Sequence, residues 1–366
     1  MRTPARGRNA PAVDHCGDQQ SGLVRMTMPD DMRCRELRAW AEQQPCLGEA
    51  AGLAWQVASA DASFRRYFRI MGSQHGTAQS WIAMDAPPER ENNAAFVSIA
   101  ALLNSAGLHV PRVLAHDEPR GFLLLTDLGA RTFLDVLDDD NADALFGAAI
   151  GALLDWQSAS RPGVLPDYDR ATLAAELELF RDWYLGRHLG HVPSAGEHAD
   201  IDTAFAFILD NVCAQPEVFV HRDYMPRNLM ISDPLPGVLD FQDARFGPVT
   251  YDVASLFRDA FISWPQARID GWVRHYWDAA CARNIPVGCD FDAFQRDLAL
   301  MGAQRHLKVL GIFARIAYRD GKPRYLTDTP RFVDYLRPVL ARFDALAPLI
   351  PLVERAPQPQ NQCRQR

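Results

Sequence analysis

No Cys-x-x-Cys pair occurs anywhere in the chain. The seven cysteines (16, 34, 46, 213, 281, 289 and 363) are odd in number and scattered. That pattern argues against a disulfide framework or a zinc site and fits reduced thiols in the cytoplasm. Apolar runs are short as well, none approaching the ~18 residues that span a bilayer. Residues 1–27 lack the apolar central stretch of a signal peptide. Positive charge is not in excess: 38 Lys and Arg stand against 46 Asp and Glu, a formal charge of −8. A nucleic-acid surface is therefore not expected, although a locally basic phosphate pocket remains compatible with that balance. What remains is a chain of 366 residues, 48% hydrophobic and 23% charged, long enough for a large core shared by two lobes.

The informative stretch lies between residues 219 and 243. Val218-Phe219-Val220 reads as a strand leading into His221-Arg222-Asp223. Asn228 follows, then apolar Leu229-Met230-Ile231, a Pro-rich turn (232–237), Val238-Leu239 and Asp240. A hairpin of this kind places Asp223, Asn228 and Asp240 at one edge of a small sheet. Phosphoryl transfer from ATP calls for that set. One carboxylate orients the attacking hydroxyl and accepts its proton late, while an amide oxygen and a second carboxylate hold Mg²⁺ on the phosphates. Mg²⁺ prefers hard oxygen ligands and retains waters, so one Asn and one Asp suffice. The bland alternative is a solvated loop with Asp223 at a turn and Asn228 as a cap. It leaves three polar residues in kinase order between apolar strands unexplained.

These residues resemble the aminoglycoside phosphotransferase family of kinase-like enzymes: His221-Arg222-Asp223-x4-Asn228, Leu239-Asp240-Phe241-Gln242-Asp243, and Tyr251-Asp252-Val253-Ala254, similar to that family's Tyr-Asp-Leu-Ala segment. Within the family, Met84–Glu89, Asp240–Pro265 and Gln304–Tyr325 are closest in wording to bacterial anomeric sugar kinases acting on N-acetylmuramate and N-acetylglucosamine. The resemblance spans residues 28–350. It implies an α+β, two-lobed protein-kinase-like fold: a small antiparallel β lobe over 28–126 for the nucleotide and a larger helical lobe over 127–355 for catalysis and substrate. Residues 1–27 and 356–366 are expected to be disordered. ATP and Mg²⁺ are implied as cosubstrate and cofactor, with Asp223 and Asn228 catalytic, Asn228 and Asp240 on the metal, and Asp252 bracing the loop. Also implied are a cytoplasmic, monomeric enzyme with a small amino sugar as its partner and an α-1-phosphate product feeding cell-wall sugar recycling. Phosphorylation of an aminoglycoside or another small hydroxyl compound is the alternative, and a nucleotide-binding pseudokinase module is a third.

Two departures from the family pattern stand out. The turn Ala60-Asp61-Ala62-Ser63, where an ATP-covering loop is implied, contains no glycine. Ser63 and the following Arg65 or Arg66 are the candidates left there to meet phosphate. The basic residue usual near the end of the third strand is replaced by Met84 or Asp85, which leaves open whether another cation serves the phosphates. Thr126-Asp127-Leu128-Gly129 reads as the hinge, with Asp127 and Leu128 set against adenine.

Apolar spacing of three and four residues predicts helices from Pro29 toward Pro45, over Glu89–Ser105, Thr132–Leu137, Ala142–Ser158, Ala171–His188, Ile201–Ala214, Asp252–Phe261 and Pro265–Cys281, with one or two over 291–320. The last region carries Arg305, His306, Lys308, Arg315 and Arg319. A cationic face this dense is ordinarily solvated. In an enzyme for an anionic sugar it could bind a carboxylate, so Arg305 and His306, with Arg258, are candidate substrate residues.

Overall fold

The computed structural model describes residues 29–48, 52–59, 64–74 and 76–357. The extension expected over 1–27 lies outside them, as do Ser63 and all of the expected tail but Ala356 and Pro357. Asp31 caps helix α1 (Met32–Ala41) by accepting from the Cys34 amide at 2.9 Å. The acidic residues thus precede the first turn, where a carboxylate can satisfy an amide that has no partner within the helix. Strands β1 (Ala54–Ser59), β2 (Arg66–Gln74), β3 (Thr77–Asp85), β4 (Val113–Asp117) and β5 (Phe122–Thr126) form one antiparallel sheet in the order β1-β2-β3-β5-β4.

Alternation along these strands gives the sheet two apolar faces. Phe122 and Leu124 pack with Phe68, Ile70, Trp81 and Ala83 beneath Leu37 and Trp40 of α1. Leu123, Leu125 and Met84 point the other way, into a core shared with Phe96, Ile99 and Leu103 of helix α2 (Asn93–Ser105). The helix expected from Glu89 starts only at Asn93. Asn92 is its cap, accepting from the Ala95 amide at 3.0 Å, and the turn after Pro87-Pro88 keeps Glu89–Glu91 outside it.

The second lobe is built from α3 (Ala142–Ser158), α4 (Arg170–Leu179) continuing as a π-helical segment (Phe180–His188), α5 (Ala195–Val212), α6 (Tyr251–Phe257), α7 (Gln266–Ala282), α8 (Phe291–Arg319), α9 (Thr329–Arg342) and α10 (Ile350–Val353). Residues 132–137 are turns rather than the expected helix, because Phe133 donates to the Leu229 carbonyl at 2.7 Å and draws the segment toward the hairpin that carries Asn228 and Asp240. Helix α5 begins at Ala195 rather than Ile201, since Ser194 and Glu197 form a capping box. Phe261 lies beyond the end of α6. Residues 291–319 are a single helix of 29 residues that packs on α4, the π segment, α5, α6 and α9. Its central position buries Arg305, His306 and Lys308 to 3%, 2% and 8% exposure, so these three are not on a solvated face, whereas Arg319 near the end of the helix is exposed. Among the described residues no helix is long and apolar enough to cross a membrane. The α+β, two-lobed, protein-kinase-like architecture is therefore the one the motifs implied.

Candidate active site

Strand β6 (Glu217–Val220) pairs with β9 (Arg245–Pro248) and delivers His221-Arg222-Asp223. After a short 3-10 turn (Pro226–Asn228), β7 (Leu229–Met230) pairs with β8 (Gly237–Val238) in the register Leu229↔Val238. The pairing runs on through the Leu239 amide, which donates to the Asn228 carbonyl at 2.9 Å and so brings Asp240 beside Asn228. Gly237 is required here. A Cβ would stand 2.8 Å from the Ser232 hydroxyl and 2.9 Å from Leu128.

The Asn228 amide donates to the Asp223 carbonyl at 2.9 Å and, more weakly, to Asp240 Oδ2 at 3.4 Å. Its Oδ1 is thereby left as the amide atom that can meet a cation. Gln242 donates to Asp240 Oδ1 at 2.8 Å. Arg222 (φ 76°) and Asp240 (φ 65°) both adopt the left-handed region, a conformation costing about 1–3 kcal/mol in residues with a side chain and persisting where surroundings enforce it. Asp252 supplies much of that enforcement. Its carboxylate accepts from the His221 and Arg222 amides at 2.7 and 2.9 Å. Burial pushes the Asp252 carboxyl up to about 7, against the pull of those two amides. The Phe96 and Phe241 rings, 5.0 Å apart, join α2 to the turn carrying Asp240.

A cleft of about 1280 Å³ opens between the lobes, and Arg65, Asp127, Leu128, Asn228 and Asp240 all line it. Asp223, half-buried, does not line it directly and is tied to it through Asn228. The Asp127 carboxylate is engaged by Arg69 at 2.6 Å and by the Gly129 amide at 3.0 Å, which fixes this segment to β2. Among the described residues, the peptide groups of Asp127 and Leu128 bond to no other backbone group. Their edge can therefore meet a flat heterocycle. Arg65 is held at 3.0 Å by Glu91, both side chains largely buried. Asp85, by contrast, faces α1, where Arg33 and Arg66 each reach it at 2.5 Å, so of the two arginines expected near the phosphates Arg66 is turned away from the cleft and only Arg65 lines it.

At the other end of the cleft stand Arg227, Phe261, Arg324 and Tyr325. The Arg227 guanidinium lies 5.1 Å above the Phe261 ring. Arg324 is exposed and forms no ion pair with a described residue. Arg258, Arg305 and His306 come together one layer away, off the cleft wall. Arg258 stacks on Tyr335 at 5.2 Å and Arg305 reaches the Arg258 carbonyl at 3.5 Å. His306 sits against the Phe332 and Tyr335 rings, its imidazole held well below the ordinary value by burial and by the arginines beside it. Glu91, Arg227, Phe261 and Arg324 were not singled out by sequence. Arg227 lies inside the His221–Asn228 motif and Arg324 inside the Gln304–Tyr325 resemblance, but nothing local set either apart from a solvated arginine.

Among the described residues no group of three or more His, Cys, Asp or Glu forms a metal cage. One amide oxygen and one carboxylate nonetheless fit Mg²⁺, which takes its remaining ligands from water and phosphate.

Comparison with known proteins follows the same lines. A family model described as "Phosphotransferase enzyme family" matches residues 54–290. A protein of Pseudomonas putida named N-acetylmuramate/N-acetylglucosamine kinase is 52% identical over 334 residues, covering 89% of this chain and 97% of that one. A protein of the same name from Pseudomonas aeruginosa is 51% identical over 340 residues, 90% of this chain and 99% of that one. The crystal structure of a choline/ethanolamine kinase family protein from Mesorhizobium loti superposes with a TM-score of 0.58 at 15% identity, over 89% of this chain and 100% of that one.

Proposed function

Since the chain belongs to the phosphotransferase enzyme family, we propose that it transfers the γ-phosphoryl group of ATP to the anomeric hydroxyl of N-acetylmuramate and N-acetylglucosamine. The product is the α-1-phosphate, and the enzyme would work as a cytoplasmic monomer returning cell-wall sugars to nucleotide-sugar synthesis. The observation that carries this reading is the Asp223–Asn228–Asp240 constellation on a chain 52% identical, over 89% of its length, to a kinase of that name.

Asp223 orients the anomeric hydroxyl and takes its proton as the bond to phosphorus forms. This hydroxyl is the most acidic of a sugar, so a single positioned carboxylate suffices. Asn228 Oδ1 and Asp240 would hold Mg²⁺, which supplies charge neutralisation on the phosphates. Arg65, fixed by Glu91, occupies the role left open by Met84 and contacts the phosphates. The peptide edge of Asp127 and Leu128 receives adenine. Ser63 lies outside the described residues. We assign the lactyl carboxylate of N-acetylmuramate to Arg324 and Arg227, which line the cleft, and give Arg258, Arg305 and His306 a supporting place behind them.

The test is ATP turnover with each sugar, with phosphorus NMR of the product, for wild type, Asp223→Asn and Arg324→Ala. The expected result is phosphate on carbon 1, lost in Asp223→Asn. Arg324→Ala should raise KM for N-acetylmuramate about 10-fold, the worth of one exposed charge-assisted contact, and leave N-acetylglucosamine unchanged. No turnover with either sugar would refute the substrate. An equal loss with both sugars would move Arg324 to the phosphates.

A further inference from the structure

Beneath the catalytic loop, outside the cleft, one carboxylate serves two cations. Glu176 of α4 accepts from Arg222 at 2.7 Å and from Lys308 at 2.8 Å through Oε1. Its Oε2 accepts from the Tyr168 hydroxyl at 2.6 Å and from Gln304 at 3.3 Å. Lys308, one of only two lysines in the chain, also donates to the Tyr251 hydroxyl at 3.0 Å and the Tyr168 hydroxyl at 3.3 Å. The Arg222 guanidinium lies 5.1 Å over the Tyr168 ring. None of these side chains lines the cleft.

Replacing such buried ionic groups by apolar side chains is often neutral or stabilising, so stability alone is a weak reason for them. Their location is the better reason. Arg222 immediately precedes Asp223 and is held at φ 76°. Its amide is held by Asp252 at 2.9 Å and its guanidinium chiefly by Glu176, with a weaker bond to the Asp243 carbonyl at 3.5 Å. Relaxation at either point lets the peptide rotate toward an ordinary conformation and swings the Asp223 carboxylate with it.

We propose that Glu176 is a positioning residue for phosphoryl transfer: by anchoring the Arg222 side chain against α4 and α8 it holds the left-handed turn that aims Asp223 at the acceptor hydroxyl. Lys308 and Tyr168 keep that carboxylate in place, and Glu176 acts on the reaction only through Arg222.

The experiment compares wild type, Glu176→Gln, Arg222→Met and the double variant, each confirmed folded by its thermal transition and assayed well below it with ATP and the accepted sugar. Each single variant should lose kcat about 100-fold, the scale of a displaced catalytic group, with both KM values essentially kept, since neither side chain reaches the cleft. The double variant should be no slower than the worse single, because both act through one contact. Wild-type kcat in Glu176→Gln, a loss confined to KM, or multiplied losses in the double variant would each overturn the assignment. If Glu176→Gln does not accumulate folded, Glu176→Asp and Arg222→Lys give the same cycle and are judged by the same outcomes.

Discussion

Met84 and Asp85 stand where the resemblance to kinase-like chains implies a basic residue, and the surroundings of Asp85 predict a mutation phenotype opposite to that of a nucleotide ligand. Its side chain is fully buried and receives four N–H donors, Arg33 Nε and Nη2 at 3.1 and 2.5 Å and Arg66 Nε and Nη2 at 2.9 and 2.5 Å. Arg66 in turn pairs with Asp31, the cap of α1. The network therefore clips α1 and β2 to β3. Removing one partner from a buried ion pair costs about 3–5 kcal/mol. The two arginines are about a third exposed and can rehydrate their heads, so about 3 kcal/mol is expected for Asp85→Ala. At about 1–2 °C per kcal/mol for a chain of this size, the midpoint should fall by about 3–6 °C.

The same variant should bind ATP normally when assayed well below its midpoint. Arg65→Met should do the reverse, raising the KM for ATP about 10-fold or more as a charge-assisted phosphate contact is lost, with a smaller change in midpoint. Thermal unfolding by circular dichroism and initial rates against ATP concentration measure the two quantities. An Asp85→Ala protein that kept its midpoint but lost ATP affinity would refute the placement of both residues.

Two further outcomes follow from packing and charge. Burial raises the Glu176 carboxyl, but Lys308 and Arg222 outweigh it, so the folded value lies below the ordinary one. The unfolded chain then takes up the proton first as pH falls, and this contribution is full above the unfolded value and lost below it. Wild type should therefore lose midpoint on acidification toward about pH 3 more steeply than Glu176→Gln, and parallel curves would contradict the ion cluster. At the crossing of α8 over α4, a Cβ on Gly311 would stand 2.3 Å from the Leu179 carbonyl carbon and oxygen. Because backbone, unlike a side-chain tip, cannot swing aside, Gly311→Ala should cost about 3 kcal/mol, read as a midpoint fall in calorimetry. An unchanged midpoint would show that the two helices can part freely.

How legible each feature was in the sequence depended on how locally it is built. The hairpin carrying Asn228 and Asp240 was readable because its strands, turn and polar residues lie within one short stretch, and the structure pairs Leu229 with Val238 as that spacing required. The sheet was readable from alternation in segments such as Phe122–Leu125. Helix starts were less so: Asn92 and Ser194 capped their helices against apolar patterns that suggested Glu89 and Ile201. Arg305, His306 and Lys308 looked like one cationic stripe because i and i+3 spacing says which residues share a face but not what covers it. Here α6 and α9 do.

The strand cation shows the limit most clearly, and the sheet register shows where its proposed substitute, Arg65, lies. Tyr67 lies opposite Met84, and Arg66 opposite Asp85. Directly opposed residues share a face, so Arg66 and Asp85 belong to the α1 side, whereas Tyr67, Met84 and, by alternation, Arg65 belong to the side of α2 and the cleft. Arg65 is thus the diagonal neighbour of Met84 across the strand pair. Near the end of β3 it can present positive charge to the same space while its partner Glu91 comes from the turn before α2. What phosphate binding demands is a fixed cation at that place on that face, not a residue at that number. In the proposed reading an arginine just ahead of the adjacent strand would meet the demand, and with Met84 apolar the core beneath α2 closes without a buried lysine stem. The exchange leaves no mark in linear spacing. It becomes visible only once the register assigns Met84 and Asp85 to opposite faces.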